Sequence, residues 1–230
     1  MLPTDTRCFV RHARGVFHPD ALGAARNHFL ECEEQGWNAA VSDRERTRLA
    51  IGAAPDQFRL DERWYDLWRT VDERVVEYFR PYTWVVYPVH IRHVTATAHL
   101  VPWHQDAAYI ALMPRRHDRV ITCFVPLEPE PTAGSTLELA QGEFPLLPHE
   151  AEGNHGAAIR QCDFYETARH DLSFGDAIIF GDHVPHRTVP GANGLINRRS
   201  FEFRMVLPAE ALPEKDYFDL ETRTYIRRVS

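Results

Sequence analysis

The chain has 230 residues, a formal charge of −7, 44% hydrophobic residues and 26% charged ones, the make-up of one globular domain able to bury a sizeable core. The acidic balance and the lack of a long Lys/Arg run argue against nucleic-acid binding. No stretch has the length of a membrane span and no secretion signal opens the chain, so a cytoplasmic location is expected, with Cys8, Cys32, Cys123 and Cys162, which lack CxxC spacing, as reduced thiols.

His18-Pro19-Asp20 opens a helix whose apolar positions include Leu22, Ala25, Phe29 and Cys32, and which ends near Gly36. A second helix is predicted over 60–79, where Trp64, Leu67, Trp68, Val71, Val75, Val76 and Phe79 recur at three-and-four spacing before Pro81 stops it. That stripe marks a helix packing on a sheet. From Tyr82 the pattern changes to short strands, predicted at 84–87, 91–100, 120–125, 136–139, 177–180, 184–189 and 200–207. Helices followed by many short strands predict a mainly β fold with flanking helices and a jelly-roll, cupin-like core. The expected organisation is one domain over 1–230, with helical support in 1–81, the core in 82–207 and a C-terminal tail in 208–230. The poorly patterned stretch 146–169 is expected to cover the barrel mouth.

Trp103-His104-Gln105-Asp106 carries the strongest chemical signal. On a strand, His104 and Asp106 would share a face and could reach one ion. His186 is the preferred third ligand over His183, because it falls in the better strand, just before the turn at Pro190-Gly191-Ala192-Asn193-Gly194. Two histidines and one carboxylate occupy one face of a metal and leave the others open, as in non-haem Fe(II) oxygenases. If that turn closes a hairpin with Val189 opposite Leu195, His186 lies opposite Arg198 and both point into one cavity. Arg198, Ser200, Glu202 and Arg204 alternate with Arg199, Phe201, Phe203 and Met205; the apolar series should face the packed side of the sheet, which leaves Arg198 and Ser200 on the polar inner face. The guanidinium of Arg198 can bind a carboxylate through two hydrogen bonds, with the Ser200 hydroxyl as a third. Thr95, Thr97 and His99 alternate on an earlier strand, and either line the same pocket or fill a polar interior; Thr97 joins Arg198 and Ser200 as a candidate binding contact there. Trp103 should face away from His104 into packing. Arg115-Arg116-His117-Asp118-Arg119 is the densest basic patch, read either as a solvated loop or as part of a lid.

The order of His104-Gln105-Asp106, Phe124-Val125-Pro126-Leu127, Ala133-Gly134-Ser135-Thr136-Leu137-Glu138-Leu139 and Gly175-Asp176-Ala177-Ile178-Ile179-Phe180 before His186-Arg187-Thr188 resembles the phytanoyl-CoA hydroxylase-like branch of the Fe(II)/2-oxoglutarate-dependent dioxygenases. The likeness covers roughly 82–207. It implies a double-stranded β-helix, Fe(II) held by His104, Asp106 and His186, and 2-oxoglutarate anchored through its distal carboxylate by Arg198, with Ser200 completing an Arg-x-Ser pattern. It further implies O2-dependent hydroxylation of an unactivated C–H bond of a small metabolite, such as an amino acid or natural-product intermediate, with release of succinate and CO2. An intact Asp106 favours an oxygenase outcome over halogenation. Thr132-Ala133-Gly134 and Gln141-Gly142-Glu143 stand where the family has an Asn-Gly turn and a Gly-Ser-His, so the likeness does not extend to a substrate. A non-redox cupin-type metalloenzyme and a non-catalytic member of the fold are the alternatives; the first has no use for a keto-acid anchor. The oligomeric state is not legible in the sequence.

Overall fold

The computed structural model describes residues 1–34 apart from 4 and 8, 63–110 apart from 88 and 96–99, 119–129, 136–150, and 158–227 apart from 161, 162, 165, 192, 193, 195, 196 and 214. Helix α1 (Pro19–Glu34) begins with proline at its first position and Asp20 in its first turn, where a missing N–H is not needed and a negative charge meets the positive end of the helix. The helix predicted over 60–79 is instead two, α2 (Arg63–Arg69) and α3 (Glu73–Phe79). Asp72 is the cause of the break, because its carboxylate accepts from the Arg74 N–H at 2.8 Å and so caps a new helix. The apolar stripe survives, with Trp64, Leu67, Trp68, Val76 and Phe79 all buried.

The strands begin with β1 (Val10–Ala13), β2 (Trp84–Val86), β3 (His90–Thr95), β4 (Val120–Pro126), β5 (Thr136–Ala140) and β6 (His149–Glu150). They continue with β7 (Ala158–Ile159), β8 (Thr167–Arg169), β9 (Ala177–Gly181), β10 (His186–Val189), β11 (Asn197–Val206), β12 (Tyr217–Asp219) and β13 (Thr224–Ile226). A short helix, α4 (Asp106–Ile110), lies between β3 and β4. The main antiparallel sheet runs β1-β9-β4-β11-β2-β12-β13. On one side the long strand β11 borders β3 and then β2, and on the other it borders β4. A second sheet, β10-β5-β8, is joined along β10 by an antiparallel bridge between His104 and His186. Phe124, Ile178 and Phe180 of the main sheet pack with Leu137, Leu139 and Val184 from the other wall. This is the double-stranded β-helix, or jelly roll, with helices on its outer side.

Strand alternation divides β11 between the two faces. Phe201 and Phe203 pack outward against Trp64 and Trp68, with ring centroids 5.3 and 5.1 Å apart; burying each such side chain contributes roughly 1.5–3 kcal/mol. Arg199 points the same way and pairs with Glu33 of α1 and with Glu128 at 2.7 and 3.0 Å. Arg198, Ser200, Glu202 and Arg204 face the interior.

The expected hairpin between β10 and β11 does not form. His186 lies opposite Leu139 in one sheet, and Arg198 lies opposite Val94 in the other. The turn near Pro190 carries the chain from wall to wall, so partners far away in sequence set both registers. The 208–230 stretch carries strands that the sequence pattern did not reveal, since β12 and β13 are three residues each and extend the main sheet beyond β2. No described helix is long and apolar enough to cross a membrane.

Candidate metal centre and carboxylate pocket

The bridge that joins the second sheet also brings the histidines together. His104 and His186 exchange backbone hydrogen bonds of 3.0 and 2.9 Å, and residues paired in this way carry their side chains on one face. Their ring centroids are 4.1 Å apart. In each ring Nδ1 meets a carbonyl, Pro102 O at 2.9 Å for His104 and Val184 O at 3.0 Å for His186. A ring that donates from Nδ1 carries its lone pair on Nε2, the tautomer suited to ligation.

Asp106 reaches the same point by another route than the shared strand expected from its spacing. It is the first residue of α4, and the turn is pinned by the Ala107 N–H donating to Asp182 O at 2.9 Å. Both its oxygens are held by the main sheet, Oδ2 by the Thr122 hydroxyl at 2.7 Å and Oδ1 by Arg204 Nη2 at 2.9 Å. Thr122 and Arg204 are opposed across β4 and β11. His104, Asp106 and His186 are all buried, and their ligating atoms lie within 4.8 Å of one another, a group able to hold a metal ion. His183, the competing histidine, pairs with Asp182 at 3.0 Å instead.

The electrostatics suit a cation. Burial pushes His104 down to about 3 and lowers His186, so both rings are neutral and available at neutral pH. Burial would raise the Asp106 carboxyl, but Arg204, the two imidazoles and Thr122 outweigh it and hold Asp106 ionised, well below the usual carboxylate range.

Further along the inner face, Arg198 is 2% exposed and Ser200 fully buried. The Nε, Nη1 and Nη2 atoms of Arg198 and the Ser200 hydroxyl have no hydrogen-bond partner among the described residues. The guanidinium rests 4.9 Å from the centroid of the Phe124 ring, and burial pushes its pKa down to about 10. A buried, uncompensated cation is costly. A carboxylate laid on Arg198 and Ser200 would satisfy these atoms together.

Gln105, between His104 and Asp106, has a larger part than the sequence suggested. It is fully buried and faces away from the metal group, where Nε2 donates to Pro145 O at 2.8 Å and His183 O at 2.6 Å, and Oε1 accepts from the Leu147 N–H at 2.8 Å. It ties His104-Asp106 to the segment leading into His186. Trp103 packs with Phe164, Ala140 and Ile159, as expected. The described part of 146–169 therefore lies against Trp103 and Gln105. Gly181 is required at the end of β9, because a Cβ there would lie 1.8 Å from Thr6 O. Sequence reasoning also missed Arg92, His90 and Thr122 at the site; Arg204 and Glu202 could have been found from the alternation that singled out Arg198. Thr97, His99 and residues 115–118 lie outside the described residues. Arg119 is paired with Glu210.

No family model and no curated relative matches the chain in sequence. Its fold has solved counterparts. The non-heme monooxygenase ThoJ, in its apo form, aligns over 89% of this chain and 75% of its own at 18% identity, with a TM-score of 0.61. The non-heme alpha ketoglutarate dependent carbocyclase SnoK from nogalamycin biosynthesis aligns over 97% of this chain and 90% of its own at 11% identity and a TM-score of 0.57. The epimerase SnoN, in complex with Fe3+, alpha ketoglutarate and nogalamycin RO, aligns over 87% and 80% at 16% identity and a TM-score of 0.50. At these identities the likeness is one of fold.

Proposed function

We propose that the chain is a non-haem Fe(II), 2-oxoglutarate-dependent oxygenase of the phytanoyl-CoA hydroxylase-like branch, hydroxylating a C–H bond of a small metabolite. The observation that carries this reading is a buried His-Asp-His group lining the same barrel interior as a buried guanidinium and hydroxyl that have no hydrogen-bond partner among the described residues. A non-redox metal site accounts for the first and leaves the second without purpose. The folds of ThoJ, SnoK and SnoN support the reading, and their described activities span monooxygenation, carbocyclisation and epimerisation.

His104, Asp106 and His186 would hold the iron, and Arg198 with Ser200 would hold the distal carboxylate of 2-oxoglutarate. When bound, the iron and cosubstrate supply O2 activation coupled to decarboxylation, with succinate and CO2 as coproducts. The protein keeps both imidazoles neutral by burial, fixes their tautomers through Pro102 O and Val184 O, and holds the Asp106 carboxylate between Arg204 and Thr122. Phe124, Phe180 and Leu139, all buried, keep bulk water from this interior. The test is anaerobic addition of Fe(II) and 2-oxoglutarate, which should give a weak visible charge-transfer band. Asp106→Ala should abolish the band and succinate release together. A wild-type protein without the band, or an Asp106→Ala variant that keeps it, would refute the assignment.

A further inference from the structure

Beyond the residues assigned to metal and cosubstrate, the inner face of the barrel carries a second set of unsatisfied donors. His90 on β3 lies opposite Glu202 on β11, two positions from Arg204. Arg204 commits Nη2 to Asp106 at 2.9 Å, and Glu202 Oε2 lies 3.8 Å from that same nitrogen. Arg204 Nη1 and His90 Nδ1 are buried without a hydrogen-bond partner among the described residues. Burial, then Arg204, pushes His90 down to about 3, so its ring is neutral and can donate from Nδ1 without charge. Arg198 lies six positions along the strand, about 20 Å of backbone, so a carboxylate on Arg198 leaves Arg204 Nη1 unmet.

The fixed charges point the same way. Those bearing most on His90 are Arg204, Glu202, Arg92 and Asp106, and those bearing most on Arg198 are Glu202 and Arg92. Arg92 pairs with Glu202 at 2.9 Å. Among the described residues, three guanidiniums, of Arg92, Arg198 and Arg204, therefore face two carboxylates, of Asp106 and Glu202. A divalent metal and a dianionic cosubstrate cancel each other, and one positive charge remains in a largely buried site, with Arg92 the most exposed of the three guanidiniums. Such a site favours one further anion.

We propose that the substrate carries a single negative charge, in its simplest form a carboxylate, and that this group docks on Arg204 Nη1 and His90 Nδ1 beside Asp106. The proposal rests on the iron and 2-oxoglutarate reading and names the substrate class for that site. The group attacked would then lie within a few bonds of a carboxylate, held by a fork whose other tine orients a metal ligand.

Paramagnetic relaxation tests this with small probes. The protein is loaded with Mn(II) and saturated with 2-oxoglutarate, and relaxation of propionate protons is compared with that of propionamide, its neutral isostere. The 2-oxoglutarate signals in the same tube report the cosubstrate separately. Propionate should bind at least tenfold more tightly than propionamide, and His90→Phe and Arg204→Lys should each remove that preference. His90→Phe leaves the Arg204–Asp106 contact in place and Arg204→Lys keeps the charge, and thermal melting confirms that each variant folds. Equal binding of the two probes, or none of either, overturns the anionic class. A preference retained in both variants overturns the location. Loss of 2-oxoglutarate in step with propionate in His90→Phe would assign the donor pair to the cosubstrate and also overturn the proposal. Absence of 2-oxoglutarate relaxation in the wild-type protein refutes the cosubstrate reading itself.

Discussion

Arg204 donates from Nη2 to Asp106 Oδ1 at 2.9 Å, so a guanidinium from the last long strand orients a carboxylate delivered by a separate short helix. Without a metal, this contact is the main compensation for a buried negative charge. Arg204→Ala should therefore destabilise the metal-free protein by about 3 kcal/mol, the cost of stranding one partner of a buried pair. Added Mn(II) should raise the melting temperature of the variant more than that of the wild type, because a divalent ion can replace the missing charge. Melting temperatures unchanged by the substitution would refute this account of the pair.

Arg198 illustrates the opposite balance. Its guanidinium is buried and unpartnered among the described residues, so it lowers stability until an anion binds. Arg198→Met should melt at a higher temperature than the wild type when no ligand is added, yet bind 2-oxoglutarate roughly 100-fold more weakly, through loss of a bidentate charge-assisted contact. Arg199→Ala should instead weaken the docking of α1, where Arg199 pairs with Glu33, with little effect on 2-oxoglutarate. Calorimetric titration of the three proteins reads this directly; a cosubstrate defect in Arg199→Ala larger than in Arg198→Met would reverse the assignment.

Gln105→Ala removes three hydrogen bonds and leaves Pro145 O, His183 O and the Leu147 N–H without this partner. Each stranded buried group costs about 1–3 kcal/mol. The expected result is a loss of several kcal/mol in urea unfolding and weaker metal binding, since the segments carrying His104 and His186 are no longer tied. Gln105→Glu should be less damaging at the Leu147 N–H, where its carboxylate can still accept, than at the two carbonyls. Equal stability of wild type and Gln105→Ala would show that the tie is dispensable.

Acid should unfold the metal-free protein through two histidines that the fold keeps neutral, the buried His104 and the half-buried His90. Burial pushes His90 and His104 down to about 3, whereas an unfolded histidine titrates near 6.5. Between these values the unfolded chain binds more protons than the folded one. The stability from each neutral ring is thus fully present above about pH 6.5 and is lost as pH falls through that value. At pH 5 each of the two should cost about 2 kcal/mol relative to pH 7. Urea unfolding across this range checks the slope, which should fall by up to one proton in His90→Phe. A flat profile from pH 7 to pH 5 would contradict it.

The fold class, the residues of the buried His-Asp-His group and the inner face of β11 were all legible along the chain. His104, Asp106 and His186 stand out through residue type and order, and alternation alone separates Arg198 and Ser200 from Arg199 and Phe201. These features depend on local chemistry and on periods of two or three to four residues, which a sequence carries openly. Which strand lies beside which was not legible. His186 and Arg198 share an interior because two walls close over each other, with β10 against β5 and β11 against β3, and the intervening turn does not pair them. Asp106 likewise meets His104 through a helical turn pinned by Asp182 O, not along a strand. The second set of contacts, Thr122 and Arg204 on Asp106 and Gln105 on the loops behind it, exists only once residues 16 to 98 positions apart are brought to hydrogen-bonding distance. Such contacts leave no periodic mark, because the energy that selects them comes from satisfying buried polar groups across the assembled core.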